Sequence, residues 1–331
     1  MTSYLLVGLT VILALFFDFI NGFHDTANAI ATAVSTKALS PKRAIITASC
    51  MNFLGAILFT GVAKTIAKDI VDVANIPDLT VVIIAALISA IAWNLITWYF
   101  GIPSSSSHAL IGSIAGAAIV AAGFGCINLN GFLNIIKSLI ISPILALVVG
   151  YIVFTIFKYL FKNLNLSKAN RGFRRIQVVT AAIQSFAHGT NDAQKSMGII
   201  SMALVSCGLA KSGSIPFWVQ VCCAAAMALG TSVGGWKIIK TVGTQIMKIK
   251  PVSGVAADLS SAIIIFGASK IGLPVSTTHV ISSSIMGVGS AQSVKAVKWE
   301  TGKRMVVTWF ITLPISAAIS AIIFSIIKIF L

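Results

Sequence analysis

The chain has 331 residues, of which 57% are hydrophobic and 10% charged, where a soluble domain has about a quarter charged. That charge cannot coat a water-facing surface, which excludes a soluble enzyme, a DNA-binding module and a disordered tail. The 24 Lys and Arg against 8 Asp and Glu, a formal +16, are therefore read as loop charges of an integral membrane protein.

A helix crossing the ~30 Å hydrocarbon layer needs about 20 apolar residues. In chain order, candidate segments fall at 3–22, 44–63, 80–100, 104–124, 133–160, 176–210 (interrupted), 216–236, 253–270, 274–291 and 305–331, about ten crossings. The first lacks a charged leader and a cleavage pattern, so it reads as a retained span. The segments starting near Ser104 and Val275 are short, rich in Ser, Thr and Gly, and preceded by Pro103 and Pro274. The stretches around Asp25 and Asp192 place polar residues at membrane depth. Broken helices of this kind are tolerated where the backbone lines a buried site or a cavity. The six Trp residues fall toward predicted span ends, as an interfacial belt does.

Positive charge predicts the orientation. With the N-terminus outside, the inside loops hold Lys37, Lys42 and Arg43, the cations of 158–175, those of 237–250 and those of 295–304, together 17 of the 24. Both termini are then outside and the basic linker 162–175 is cytoplasmic, in a multi-pass protein of the cell (inner or plasma) membrane.

Two pairs of segments repeat in the same order. Gly101-Ile-Pro-Ser-Ser-Ser-Ser-His108 matches Gly272-Leu-Pro-Val-Ser-Thr-Thr-His279, and Gly22-Phe-His-Asp-Thr-Ala-Asn28 matches Gly189-Thr-Asn-Asp-Ala-Gln-Lys195. The chain divides into an N-terminal membrane repeat (1–161), the linker (162–175) and a C-terminal membrane repeat (176–331). About five crossings per half start the second half from the opposite face. The predicted fold is an all-α polytopic membrane protein of two inverted-topology repeats, with broken helices or re-entrant hairpins at the midplane.

The repeated polar residues point to ligands. Pro103 and Pro274 suit a first helical turn. The hydroxyls after them, Ser104 to Ser107 and Ser276 to Thr278, would stand beside unpaired helix N–H groups, a setting that binds anions without formal charge. Simple capping of a buried helix is the plain alternative. Two of the eight acids, Asp25 and Asp192, occupy the same position of the repeated motif. Carboxylates inside a membrane are costly and usually functional. Together with Asn28, Asn191 and Gln194 they offer oxygens suited to a hard cation, whereas pairing of Asp192 with Lys195 would be structural. Like charges ~5 Å apart repel by roughly 3 kcal/mol at an effective dielectric of ~20. Carboxylates can therefore border an anion if a cation lies between them or if the anion donates a proton, as phosphate does and sulfate does not. Both arrangements indicate cation-coupled phosphate uptake. His24, His108, His188 and His279 flank these motifs and are left open as orienting, proton-carrying or simply buried groups. Asp18 and Asp258 have no repeat partner, although Asp18, about two turns before the first motif, is within reach of it.

The two stretches GFHDTANA (22–29) and GTNDAQKS (189–196), with GIPSSSSH and GLPVSTTH downstream, resemble the duplicated signature of the inorganic phosphate transporter (PiT) family over nearly the whole chain. The first copy has His24 where the second has Asn191, and Lys195 stands where the first has Asn28. The resemblance implies a secondary transporter moving phosphate with Na⁺ or H⁺, commonly a homodimer in the lipid bilayer. It implies phosphate ligands among Ser105, Ser106, Ser107, Ser276, Thr277, Thr278, Gln194 and Asn28. The Na⁺ ligands it implies are among Asp25, Asn28, Asp192 and Asn191, with no cofactor beyond that coupling ion. A sulfate permease of the same fold and a passive anion channel are the alternatives. A hydrolase using Ser106 or Ser107 with His108 is disfavoured, because adjacent helical residues diverge by about 100°. The chain also lacks the Gly-rich Lys-Ser/Thr loop of ATP chemistry.

Overall fold

The computed structural model describes residues 2–162 and 166–330. Thirteen α-helices are present among these residues, and no strand beyond an isolated bridge between Val71 and Ile127. The first half contains α1 (Thr2–His24), α2 (Thr26–Ser35), α3 (Pro41–Leu58), α4 (Gly61–Asp69), α5 (Leu79–Phe100), α6 (Ser106–Ala122) and α7 (Leu129–Leu160). The second contains α8 (Leu166–Ser206), α9 (Phe217–Val233), α10 (Trp236–Lys240), α11 (Pro251–Lys270), α12 (Thr277–Gln292) and α13 (Trp299–Phe330). Within the expected 162–175 linker, residues 163–165 lie outside the described residues, and from Leu166 onward the chain is already helix α8.

The halves correspond element by element. Helix α3 bends by 65° into α4, and α9 bends by 66° into the segment 236–245 that α10 begins. Helices α7 and α13 both have 32 residues with an internal proline, Pro143 and Pro314. Short 3-10 turns follow α6 at Phe124–Cys126 and α12 at Val294–Ala296. The packing is reciprocal: α6 lies on α13 and α12 on α7, while α1 lies on α9 and α8 on α3.

Corresponding elements end on opposite faces. Asn128 N–H donates to Ile70 O after α6, and Lys298 N–H donates to Ile246 O after α12. The first bond belongs to the face where Lys328 pairs with Asp78 at 2.6 Å, at the start of α5. The second belongs to the face where Lys237 Nζ donates to Tyr99 O, at the end of α5. A helix of 22 residues, about 33 Å long, separates them. The corresponding turns thus lie at opposite ends of α5, as inverted repeats require.

Five helices are long and apolar enough to cross a membrane, or up to seven when each bent pair counts as one span. Two causes separate this from the ten expected. Helices α6 and α12, of 17 and 16 residues, are about 25 Å long and too short to cross. Helix α8, at 41 residues, is long enough but carries a polar centre shielded by the other helices. The interruption expected in 176–210 is also absent: α8 runs unbroken through the second motif, whereas the first motif breaks between α1 and α2 at Asp25. In α8 an ion pair one turn apart, Asp192 to Lys195, braces the helix, and the first copy has Asn28 in place of that lysine.

Small residues allow this centre to close. Gly22 abuts the Met227 carbonyl and Gly230 the Phe19 carbonyl, while Gly189 abuts that of Asn52 and Gly55 that of Phe186. A Cβ at any of the four would collide with backbone, so α1 crosses α9 and α8 crosses α3 at the closest approach helices permit. Trp93 and Trp309 are buried, and Trp309 stacks on His279 with ring centroids 4.0 Å apart. The predicted belt therefore loses both, because aromatic bulk here packs the inner layer.

Candidate functional site

The N-terminal ends of α6 and α12 meet at the centre of the molecule, with the rings of His108 and His279 4.6 Å apart. Each hairpin arrives extended, so the residue before each helix is free to cap it. Ser105 Oγ accepts from His108 N–H at 3.1 Å, and Ser276 Oγ accepts from His279 N–H at 3.3 Å. The first N–H groups of each helix have no partner inside it, and they carry the positive end of its dipole. Ser106, Ser107, Thr277 and Thr278 lie at these tips and are all buried.

The motif carboxylates close the same space from α1, α2 and α8. Ligand atoms of Asp25, Asp192 and His188 lie within 4.8 Å of one another, and all three residues are buried. Ser106 donates to Asp25 Oδ2 at 3.0 Å, and Thr277 to Asp192 Oδ2 at 3.2 Å, the same contact made once by each repeat. Thr278 crosses between the halves to Asp25 Oδ1 at 3.3 Å, and Asn28 Nδ2 donates to Thr278 at 2.8 Å. His24 Nδ1 lies 2.7 Å from Asp25 Oδ1, and Lys195 Nζ lies 2.7 Å from Asp192 Oδ1.

The residues expected at the site separate into two groups. Asp25, Asn28, Asp192, Ser106, Thr277 and Thr278 converge within one hydrogen-bonded cluster. Five others face elsewhere, Ser276 among them as the cap of α12. Gln194 accepts from Ala63 N–H at 3.1 Å and donates to Thr190 O, so its amide holds the start of α4. Asn191 donates to Ser269 Oγ and Leu273 O and accepts from Val275 N–H, which fixes the hairpin before α12. Ser107 donates to Val275 O at 2.9 Å and ties the two hairpins together. Ser105 serves as the cap of α6.

Other participants were left open by the sequence or, as with Asn52 and Thr231, gave no signal in apolar surroundings. His188 Nδ1 lies 3.2 Å from Asn52 Oδ1, and Asn52 in turn donates to Thr231 at 3.0 Å. With Nδ1 turned to Asn52, His188 Nε2 faces the carboxylates and lies 3.5 Å from Asp192 Oδ2. Asn21 immediately precedes the first stretch and donates to Asp192 at 3.5 Å. Asp18, left open from sequence, accepts from Ser196 at 2.7 Å and so packs beside the second motif. Asp258 belongs to a separate buried group, accepting from Thr32 at 2.6 Å and Thr180 at 3.0 Å.

The residues suit a cation. Asn21 Oδ1 and Asn28 Oδ1 are buried acceptors without a hydrogen-bond partner among the described residues, on side chains that reach the pair of carboxylates or the hydroxyls bound to it. Acceptor oxygens in such excess match a hard cation.

A family model described as the phosphate transporter family matches residues 21–320, both motif pairs included. The chain belongs to the phosphate transporter family. This member of it is 66% identical to a probable low-affinity inorganic phosphate transporter of Bacillus subtilis (strain 168), over 98% of each chain. It is 46% identical to one of Rhizobium meliloti (strain 1021), over 96% of this chain and 95% of that protein. Among solved structures it resembles the sodium-dependent phosphate transporter, with a TM-score of 0.88, 28% identity and complete coverage of both chains. The polytopic membrane architecture expected from the sequence is that of this transporter family.

Proposed function

We propose that this chain imports inorganic phosphate by symport with Na⁺ through alternating access. The observation that carries the reading is the buried Asp25–Asp192 pair at the junction of two opposed helix N-termini. Phosphate would be held by the N-terminal N–H groups of α6 and α12 and by the hydroxyls of Ser106, Thr277 and Thr278. Na⁺ would be held by Asp25 and the free amide oxygens of Asn28 and Asn21. The hydroxyls link the two ligands, because all three now donate to the carboxylates. A cation on the carboxylates takes over their negative charge and releases the hydroxyls to turn toward an anion. Phosphate binding then depends on prior cation binding, which is the requirement for symport.

Alternating access fits a site in which Asp25, Asp192, Lys195, Ser106, Thr277 and Thr278 are all at most 2% exposed. Substrate reaches such a site only after one side opens. The inverted halves supply two equivalent routes, each beside a bent pair, α3–α4 or α9–α10. On the face of Asp78 and Lys328 a cavity of about 720 Å³ is lined by Lys68, Asp72, Asn128, Ser201 and Ser214. Ser201 is six residues, about 9 Å along α8, from Lys195. By the distribution of Lys and Arg this face is external, the linker cytoplasmic and both termini outside; Met1 and Leu331 themselves lie outside the described residues.

His24 beside Asp25 favours a second reading, proton-coupled phosphate symport. Labelled phosphate uptake into proteoliposomes decides between them. A Na⁺ gradient at equal pH drives uphill accumulation under the first reading, and a pH gradient without Na⁺ does so under the second. Downhill flux alone would indicate a channel, and loss of phosphate uptake to equal sulfate would indicate a sulfate permease.

A further inference from the structure

The two halves place different groups three residues after the motif aspartate: Asn28 after Asp25, and Lys195 after Asp192. Ser106 on Asp25 is mirrored by Thr277 on Asp192, while His24 beside the first aspartate has Asn191 as its counterpart. We infer that the Lys195 ammonium is a built-in substitute for one of two pseudo-symmetric coupling cations, so that this transporter exchanges Na⁺ at the Asp25 half of its site alone. The inference rests on the cation-coupled reading given above.

Three observations support it. First, Lys195 is 1% exposed and is among the largest fully buried side chains, so its charge is not shed to water. It lies 2.7 Å from Asp192 Oδ1, within contact distance of a carboxylate whose other oxygen receives Thr277 and Asn21. Asp192 is thus already supplied with one positive charge and two hydrogen-bond donors. An ammonium buried with its carboxylate is retained because removing either partner strands the other.

Second, the Asp25 half has acceptors to spare. Asn28 Oδ1 and Asn21 Oδ1 are buried with no recorded partner, and Asn28 is tied by its Nδ2 to the hydroxyls that touch both aspartates. Asp25 receives Ser106, Thr278 and His24, which are hydrogen-bond donors. Thr97 Oγ1, which donates to Trp93 O, lies 3.0 Å from His24 Nε2, and among the described residues no lysine or arginine pairs with Asp25 as Lys195 does with Asp192.

Third, the difference in backbone follows the difference in charge. Helix α8 is continuous through Asp192, whereas the unbent run from Tyr4 to Ser35 is interrupted for one residue at Asp25.

The test is direct binding of ²²Na⁺ to the purified full-length protein, with Na⁺-dependent thermal stabilisation as a second readout. The parent is expected to bind one Na⁺ per chain at this site, with a Hill coefficient of about 1, and to lose it in Asp25→Asn. Lys195→Asn, which restores the residue of the first repeat, is expected to bind a second Na⁺ and to raise the Hill coefficient to about 2. Lys195→Met removes the charge while keeping an unbranched chain, and is expected to gain a Na⁺ as well. Unchanged Na⁺ number in both folded Lys195 variants overturns the inference and leaves Na⁺ coupling standing. A parent that binds two Na⁺, one of them lost in Asp192→Asn, overturns it without either variant. A parent that binds none removes both this inference and the Na⁺ reading.

Discussion

Asp25 and Asp192 are separated by 167 residues (192 − 25) in sequence, more than the length of one repeat, yet their carboxylate oxygens lie within 4.8 Å of each other across the repeat interface. At ~5 Å and an effective dielectric of ~20, a cation beside the pair gains roughly 3 kcal/mol from each carboxylate. Asp25→Asn is therefore expected to raise the Na⁺ concentration for half-maximal phosphate uptake by about 100-fold. The protein should remain folded, because the amide keeps the side chain's size. An unchanged Na⁺ dependence would remove Asp25 from the cation site.

Ser106 and Thr277 make the same contact in opposite halves, each donating to the aspartate of its own repeat. If those hydroxyls turn to phosphate, each contributes one hydrogen bond to a charged group, about 1.5–3 kcal/mol. Ser106→Ala and Thr277→Ala are each expected to raise the phosphate KM by at least about 10-fold. Initial uptake rates over a range of phosphate concentrations give the answer, and an effect on maximal rate alone would speak against direct binding.

Asn52 has no place in either motif, but its Oδ1 accepts from His188 Nδ1 and so holds that imidazole. Residues that orient a ligand-bearing ring typically matter by 10–100-fold. Asn52→Ala is expected to lower transport by about that factor, with thermal stability in detergent close to the parent's. A large fall in stability without a kinetic defect would make Asn52 a packing residue only.

The helix crossings provide a stability prediction with its own control. Gly189 and Gly230 abut the carbonyls of Asn52 and Phe19, so a larger residue must push two central helices apart. Overpacking of this kind costs about 1–3 kcal/mol or more. Gly189→Leu and Gly230→Leu are expected to lose the monodisperse peak in size-exclusion chromatography. Gly8 has nothing within 4 Å of its Cβ position, and Gly8→Ala should behave as the parent.

Much of this site was legible from the sequence because membranes make polar residues conspicuous. Asp25 and Asp192 stood out as carboxylates at membrane depth in a duplicated motif, and the Ser/Thr runs after Pro103 and Pro274 marked helix starts. Side-chain direction was not legible in the same way. Asn191 and Gln194 sit in the second signature beside Asp192, yet on a continuous helix they point to the α12 hairpin and to α4. Asn52 and Thr231 were hidden because a single polar residue in an apolar helix carries no pattern, and their meaning arises from the α3–α9 contact.

The sequence by itself determined that the chain lives in a membrane, that it is built twice in opposite senses, and which acids and hydroxyls are candidate ligands. These follow from hydropathy, charge counting and repetition, which are local properties of the chain. Tertiary structure decided which candidates meet, that α8 runs unbroken while the first motif breaks, and that Lys195 neutralises one aspartate of the pair. Those outcomes depend on close helix crossings and on helix phase across more than 160 residues, where a rotation of one residue, about 100°, turns a ligand into a brace.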